Sequence, residues 1–146
     1  MNTNAKSEFF DAIVIGAGFS GLYQLHRLRD DLCLNAIILE QGEGVGGTWY
    51  WNRYPGARCD SESHGYAYFF SRALHESWQW SERYPGHAEI RQYLNYVADK
   101  FDLKKIFALA LVSQNAPFRL MKIYGMCKWE KVKFTRPSGW LLLLDV

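Results

Sequence analysis

The first patterned stretch of the chain is residues 9–15, Phe-Phe-Asp-Ala-Ile-Val-Ile, which stops at Gly16. A short apolar run rich in strand formers predicts a buried strand. From residue 20 to 31 the period changes: Leu22, Leu25 and Leu28 share one helical face, which Leu32 extends. Residues 36–39 are again a short apolar run, ending in Glu40, and predict a second strand. Strand, helix and strand within about 30 residues make a βαβ unit. Residues 41–47 form a glycine-rich loop, 49–71 have no clear period and read as ordered irregular structure, and Tyr84-Pro85-Gly86 is a turn. Residues 88–101 return to helical spacing, with Ile90, Tyr93, Leu94, Val97 and Phe101 on a stripe that predicts core packing.

Chemistry enters where the first strand meets the first helix. Gly16-Ala17-Gly18-Phe19-Ser20-Gly21 matches G-x-G-x-x-G. Alone this motif is weak, but here it follows a strand, opens a helix and lies in the first βαβ unit. Gly16 permits the tight turn, Gly18 lets the backbone approach a pyrophosphate, and Gly21 lets helix and strand pack closely. The helix N-terminus then offers N–H groups and a positive dipole end to phosphates. Glu40 lies 19 residues beyond Gly21 at the end of the second strand. A carboxylate there accepts hydrogen bonds from ribose hydroxyls and repels a 2′-phosphate, so the site is predicted to exclude NADP. A nucleophile elbow is ruled out, because Ser20 does not stand in G-x-S-x-G. The predicted fold class is therefore α/β, a partial Rossmann-like FAD/NAD(P)-binding βαβ domain, incomplete within this chain.

The most specific string is Gly46-Gly47-Thr48-Trp49-Tyr50-Trp51-Asn52-Arg53-Tyr54-Pro55-Gly56-Ala57-Arg58-Cys59-Asp60. Paired glycines bring backbone close to a ligand, and the stiff aromatic loop after them suits a flat cofactor. The string resembles the N-terminal FAD-binding motif of Baeyer–Villiger monooxygenases of the cyclohexanone and phenylacetone monooxygenase kind. The resemblance runs from about residue 9 to 105 and includes Ser61-Glu62-Ser63, Tyr66, the stretch from Trp78 to Tyr84, and Tyr96 to Leu103. It implies that Gly16, Gly18, Ser20 and Gly21 hold the FAD pyrophosphate and Glu40 the adenosine ribose. It further implies that Gly47, Thr48, Trp49, Tyr50 and Trp51 line the flavin and that Tyr66 contacts FAD. Asp60, the one implied catalytic residue, stands near flavin and nicotinamide, with Arg58 and Cys59 beside the incoming NADPH. For Tyr50 and Trp51, core packing is an equal alternative; Trp78 and Trp80 are expected to be structural, and Asp60 also reads as a plain turn residue.

Composition narrows the remaining classes. The net charge of +2 implies no nucleic-acid partner, and no apolar run approaches the length of a membrane span. Cys33, Cys59 and Cys127 match neither a zinc site nor a redox pair. With no signal-peptide pattern at the start, a reduced, cytoplasmic setting is expected. His26, His64, His75 and His87 show no ligand spacing, so no metal is expected.

The resemblance ends at Lys104-Lys105, where the family begins another strand, typically Asp-Ile-Arg-Phe. Here the chain reads Ile106-Phe107-Ala108-Leu109-Ala110-Leu111. A shifted reading frame, joining the third base of each codon to the first two of the next, lets residues 105–110 encode Asp-Ile-Arg-Phe-Gly. In the same register, residues 132–145 can encode Glu-Val-Tyr-Ala-Ala-Lys-Trp-Leu-Val-Thr-Ala-Thr-Gly, like the strand and turn that close the family's FAD domain. The expected organisation is thus 1–105, the N-terminal part of an FAD-binding domain, and 106–146, an atypical out-of-frame tail that supplies neither the third parallel strand nor the closing one. A second G-x-G-x-x-G for NADPH and the family's later catalytic arginine do not occur in the chain. Three readings stay open. One is a catalytically incompetent piece of an FAD- and NADPH-dependent monooxygenase that uses oxygen to turn ketones into esters or lactones. Another is a freestanding FAD-binding module, and the third a product that folds poorly. An N-hydroxylating or flavin-containing monooxygenase is the alternative ancestry. The implied partners are FAD and, only in a full-length enzyme, a small-molecule ketone.

Overall fold

In the computed structural model, the described residues are 10–103 together with the backbone of 106–110, 122–123 and 140–142. The predicted βαβ unit is present. Strand β1 (Ala12–Ile15) leads into helix α1 (Phe19–His26), and β2 (Ala36–Glu40) pairs parallel to β1, Ile13 opposite Ile37 and Ile15 opposite Leu39. Helix α1 does not stop at His26; it widens into a π-helical turn, Arg27–Asp31, closed by the Leu32 N–H on the Arg27 carbonyl.

Two further helices fall where no period was legible. Helix α2 (Thr48–Trp51) is a single turn. Helix α3 (Arg72–Ser77) is capped by the Ser71 side chain, which accepts from the Leu74 N–H at 3.2 Å. Helix α4 (His87–Lys100) matches the predicted stripe and buries Ile90, Tyr93, Leu94 and Val97. Beyond its Phe101 cap, Asp102 adopts the left-handed region (φ 50°) and the Leu103 N–H turns back to the Ala98 carbonyl. Arg29, from the π turn, donates to the carbonyls of Phe101 and Asp102 at 2.6 and 2.5 Å. This joins the end of the first helical segment to the end of the last.

The sheet corrects one expectation. It is not a two-stranded remnant: β3 (Ile106–Ala110) pairs parallel to β2, and β5 (Trp140–Leu142) pairs parallel to β1. A two-residue strand, β4 (Lys122–Ile123), is antiparallel to β3, giving the order β4-β3-β2-β1-β5. The physical reason lies in the central pair. Once β1 and β2 have joined, each has an open edge of unpaired N–H and C=O groups, and a short apolar segment satisfies it.

One face of the sheet carries the main core. Ala12, Val14, Ala36 and Ile38 meet Leu22 and Leu25 of α1 and Tyr93, Leu94 and Val97 of α4. Burying each large aliphatic chain contributes roughly 1.5–3 kcal/mol. The alternate residues Ile37 and Leu39 join Phe10 and Ile13 on the opposite face. The aromatic stretch of the sequence is mostly core, as expected for Trp78 and Trp80, which pack on Tyr93 at 5.4 and 5.0 Å. Tyr68 sits at the centre, its hydroxyl donating to the Phe19 carbonyl at 2.5 Å and its N–H to the Tyr93 hydroxyl at 2.8 Å.

Burial pushes the Tyr68 hydroxyl well above the ordinary phenol range and raises that of Tyr93. A raised folded-state value contributes stability that is complete below the unfolded pKa and is lost as pH rises past it. Urea midpoints should therefore fall between about pH 9 and pH 11, around the unfolded tyrosine value. Tyr68→Phe should start from a lower midpoint yet show a shallower fall; an unchanged slope would mean that the buried phenols do not set it.

Candidate dinucleotide site

The site forms where β1 and β2 end. Gly16 turns the chain out of β1 with a φ of 89°, and its N–H donates to the Leu39 carbonyl at 2.8 Å. Helix α1 begins at Phe19 with Gly18 as a cap that has no side chain to offer, so the first-turn N–H groups are left without intrahelical acceptors. A Cβ built on Gly21 would lie 1.9 Å from the Gly16 carbonyl oxygen, so only glycine lets α1 fold back onto the loop. Ser20 is exposed in the same first turn.

A second loop closes over the first. The Gly46 N–H donates to the Ala17 carbonyl at 3.0 Å. A Cβ on Gly47 would come within 2.8 Å of the Gly18 Cα, and Gly47 also has a φ of 51°. Two glycines thus meet backbone to backbone and leave a cradle walled by main chain. Glu40 ties the loops together. Its carboxylate is 4% exposed and accepts the Ala17 N–H at 2.6 Å and the Gly42 N–H at 2.7 Å. Each carboxylate oxygen keeps a further lone pair, the acceptor capacity that a ribose diol uses. Ala17 and Gly42 escape a motif reading because they act through backbone atoms alone. Only their neighbourhood to glycines and to Glu40 signals them.

The aromatic string divides in two. Trp49 is half-buried and donates its indole N–H to the Tyr66 hydroxyl at 3.0 Å; Tyr66 meets Phe19 edge-on at 4.8 Å, at the start of α1. Burial raises the Tyr66 phenol, and the Trp49 hydrogen bond only partly offsets this. Thr48 and Trp51 are exposed on α2. Tyr50 is instead buried, 7% exposed, with its hydroxyl accepting the Glu43 N–H at 3.1 Å.

Arg58 and Cys59 are held by a different part of the chain, residues 82–85. The exposed Arg58 pairs with Glu82 at 2.8 Å and the Tyr84 carbonyl at 2.9 Å. Cys59 is buried, its N–H bound to the Pro85 carbonyl. Asp60 is exposed and accepts a 3.4 Å hydrogen bond from the Ser61 hydroxyl. The carboxylate of Glu62 nearby takes the Arg83 guanidinium. His26 meets Asp30 at 2.6 Å and His64 meets Glu62 at 3.2 Å. Among the described residues no group of three or more His, Cys, Asp and Glu side chains is placed to hold a metal, and no helix is long and apolar enough to cross a membrane.

Comparison with known proteins adds identity to geometry. Residues 14–80 match the family model described as an NAD(P)-binding Rossmann-like domain. Over 108 residues, 74% of this chain, the sequence is 51% identical to acetone monooxygenase (methyl acetate-forming) of Gordonia sp. (strain TY-5), of which it covers 20%. Over 106 residues, 73% of this chain, it is 47% identical to a Baeyer–Villiger monooxygenase of Pseudooceanicola batsensis, of which it covers 19%. The crystal structure of OTEMO in complex with FAD and NADP superposes with a TM-score of 0.63 at 41% identity, covering 72% of this chain and 20% of that one. The chain thus spans about a fifth of the length of the curated relatives it matches.

The glycine contacts make a graded prediction for stability. Overpacking a tight site costs roughly 1–3 kcal/mol, occasionally more, and Gly21→Ala should fall at or above the top of that range. Gly44→Ala meets nothing within 4 Å and should change stability by less than about 0.5 kcal/mol. Urea unfolding of the two variants checks the order; equal costs would refute the close packing at Gly21. Glu40→Leu strands two buried N–H donors at roughly 1–3 kcal/mol each, and should destabilise the chain more than Glu40→Gln.

Proposed function

Because the chain belongs to the Baeyer–Villiger monooxygenases, matching their N-terminal part, we propose that it binds FAD as the opening segment of an NADPH- and oxygen-dependent enzyme that oxidises ketones to esters or lactones. The observation that carries the reading is the backbone-walled cradle where Gly18 meets Gly47, with the Glu40 carboxylate at its rim. A site lined by main chain admits a pyrophosphate that any Cβ would displace, and helix α1 aims its N-terminus into it.

FAD fits the residues present. Gly18, Ser20 and Gly21 would hold the pyrophosphate through N–H groups and the Ser20 hydroxyl, while Gly16, whose own N–H is taken by the Leu39 carbonyl, would shape the turn beneath it. Glu40 would take the adenosine ribose on the lone pairs it has not used. Gly47, Thr48, Trp49, Trp51 and Tyr66 would border the flavin, whose bound ring supplies the redox chemistry. Trp49 and Tyr66 brace each other, so that edge is stiff before anything binds. Arg58, Cys59 and Asp60 would act on the nicotinamide side, with Asp60 the catalytic candidate. The salt bridge from Arg58 to Glu82 and the burial of Cys59 fix the segment that carries them.

The match spans about a fifth of the curated relatives' length, so what is proposed for this chain alone is binding and not turnover. Cytoplasmic residence is part of the same proposal; Cys33 and Cys59 are free thiols. The chain incubated with FAD and then desalted should keep structured flavin absorbance bands, and Gly47→Ala should lose them. A wild-type chain that retains no flavin would overturn the binding reading.

For residues 106–146 we infer a loss of reading frame near the Lys104 and Lys105 codons. In its support, the two family-like strings of the shifted frame fall on the stretches that carry β3 and β5, the flanks of the parallel sheet. Sequencing the coding DNA tests this: a shifted frame lacking those strings would sink it.

A further inference from the structure

Tyr50 lies behind the glycine loop. Its hydroxyl accepts the Glu43 N–H at 3.1 Å. Its ring fills the space that Gly42 leaves open, since a Cβ there would lie 2.7 Å from Cε1. A Cβ on Gly46 would lie 2.8 Å from the Tyr50 Cβ. Three residues of the loop that presents Gly47 are therefore shaped around this one side chain. Gly42 in turn donates to Glu40 at 2.7 Å, and Gly46 to Ala17 at 3.0 Å. The position of Tyr50 is thus transmitted to both ends of the cradle, the carboxylate rim and the glycine wall.

Two guanidiniums hold the ring. Arg53 lies 4.5 Å from its centroid and donates from Nε to the Tyr50 carbonyl at 2.5 Å. Arg91 lies 4.6 Å from the same centroid and belongs to α4, the longest helix and part of the main core. Both cations are attracted to the negative face of the phenol ring. Arg53 belongs to the loop itself, whereas Arg91 anchors the ring to a rigid element.

The geometry points to Tyr50, clamped by Arg91, as a positioning residue for dinucleotide binding: it sets the Gly42–Gly47 loop against the Gly16–Gly18 loop and so preorganises the cradle. This rests on the FAD reading for its ligand, but not for the loop it orders. Preorganisation raises affinity by lowering the ordering cost at binding. Arg91 meets the Tyr50 ring from α4 and acts on the loop through that ring.

The test uses the full chain and its variants Arg91→Gln, Arg91→Lys and Tyr50→Leu. Amide hydrogen exchange of residues 42–47 is read by mass spectrometry, and FAD affinity by quenching of flavin fluorescence. Arg91→Gln should speed exchange of that loop and weaken FAD binding by about tenfold, the scale of one partly desolvated cation–π contact, with exchange in α4 unchanged. Arg91→Lys keeps a cation and should restore both within roughly threefold. Tyr50→Leu should speed loop exchange further. The proposal is overturned if Arg91→Gln leaves loop exchange unchanged, or if the lysine variant behaves like glutamine. If the wild-type chain binds no FAD, the cofactor reading falls, and loop exchange still decides the clamp.

Discussion

The carboxylate of Glu40 is the interaction on which the site depends. A buried carboxylate needs donors, and here they come from the backbone of two loops that are also joined by the Gly46–Ala17 hydrogen bond and the Gly18–Gly47 contact. One N–H belongs to the turn after β1, the other to the turn after β2. Glu40 therefore registers the two turns against each other, at the carboxyl ends of the strands where ligands of open α/β folds bind. The aromatic core works toward the same end from below. Tyr93 holds Tyr68, and Tyr68 holds the Phe19 carbonyl, so α1 starts at a fixed point beneath the cradle.

Much of this was legible in the chain itself. Gly16, Gly18 and Gly21 at their spacing, with Glu40 behind a second apolar run, specify the βαβ unit: Gly16 turns the chain at a φ of 89°, and at Gly21 a side chain would strike the Gly16 carbonyl. The stripe on α4 was legible for a similar reason: five apolar positions at helical spacing leave one way to bury them. Helices α2 and α3 were not, since four and six residues are too few for a period to show. The flanking strands were missed because what places them is the open edge of the central pair, a property of partners and not of the segments' own pattern.

Tyr50 shows where reading a motif stops. In sequence it is one aromatic among several in a string that borders a flavin in related proteins. Its neighbours Trp49 and Trp51 are half-buried and exposed, whereas Tyr50 turns inward and meets Arg91 forty-one residues away (91 − 50). Alternation of that kind within one helical turn depends on where α4 lies, and no local pattern carries it.

The strand order also has a consequence for how the chain assembles. Strand β1 has one neighbour near in sequence and one far: Ala12 stands opposite Ala36, 24 residues on (36 − 12), and opposite Trp140, 128 residues on (140 − 12). Closing the short loop costs little chain entropy, and closing the long one costs more. The βαβ pair is therefore the natural nucleus, and β5 joins it later, once the residues between them have left the ribosome. Throughout that interval one side of the nascent sheet waits for its final partner, in need of shelter from other chains.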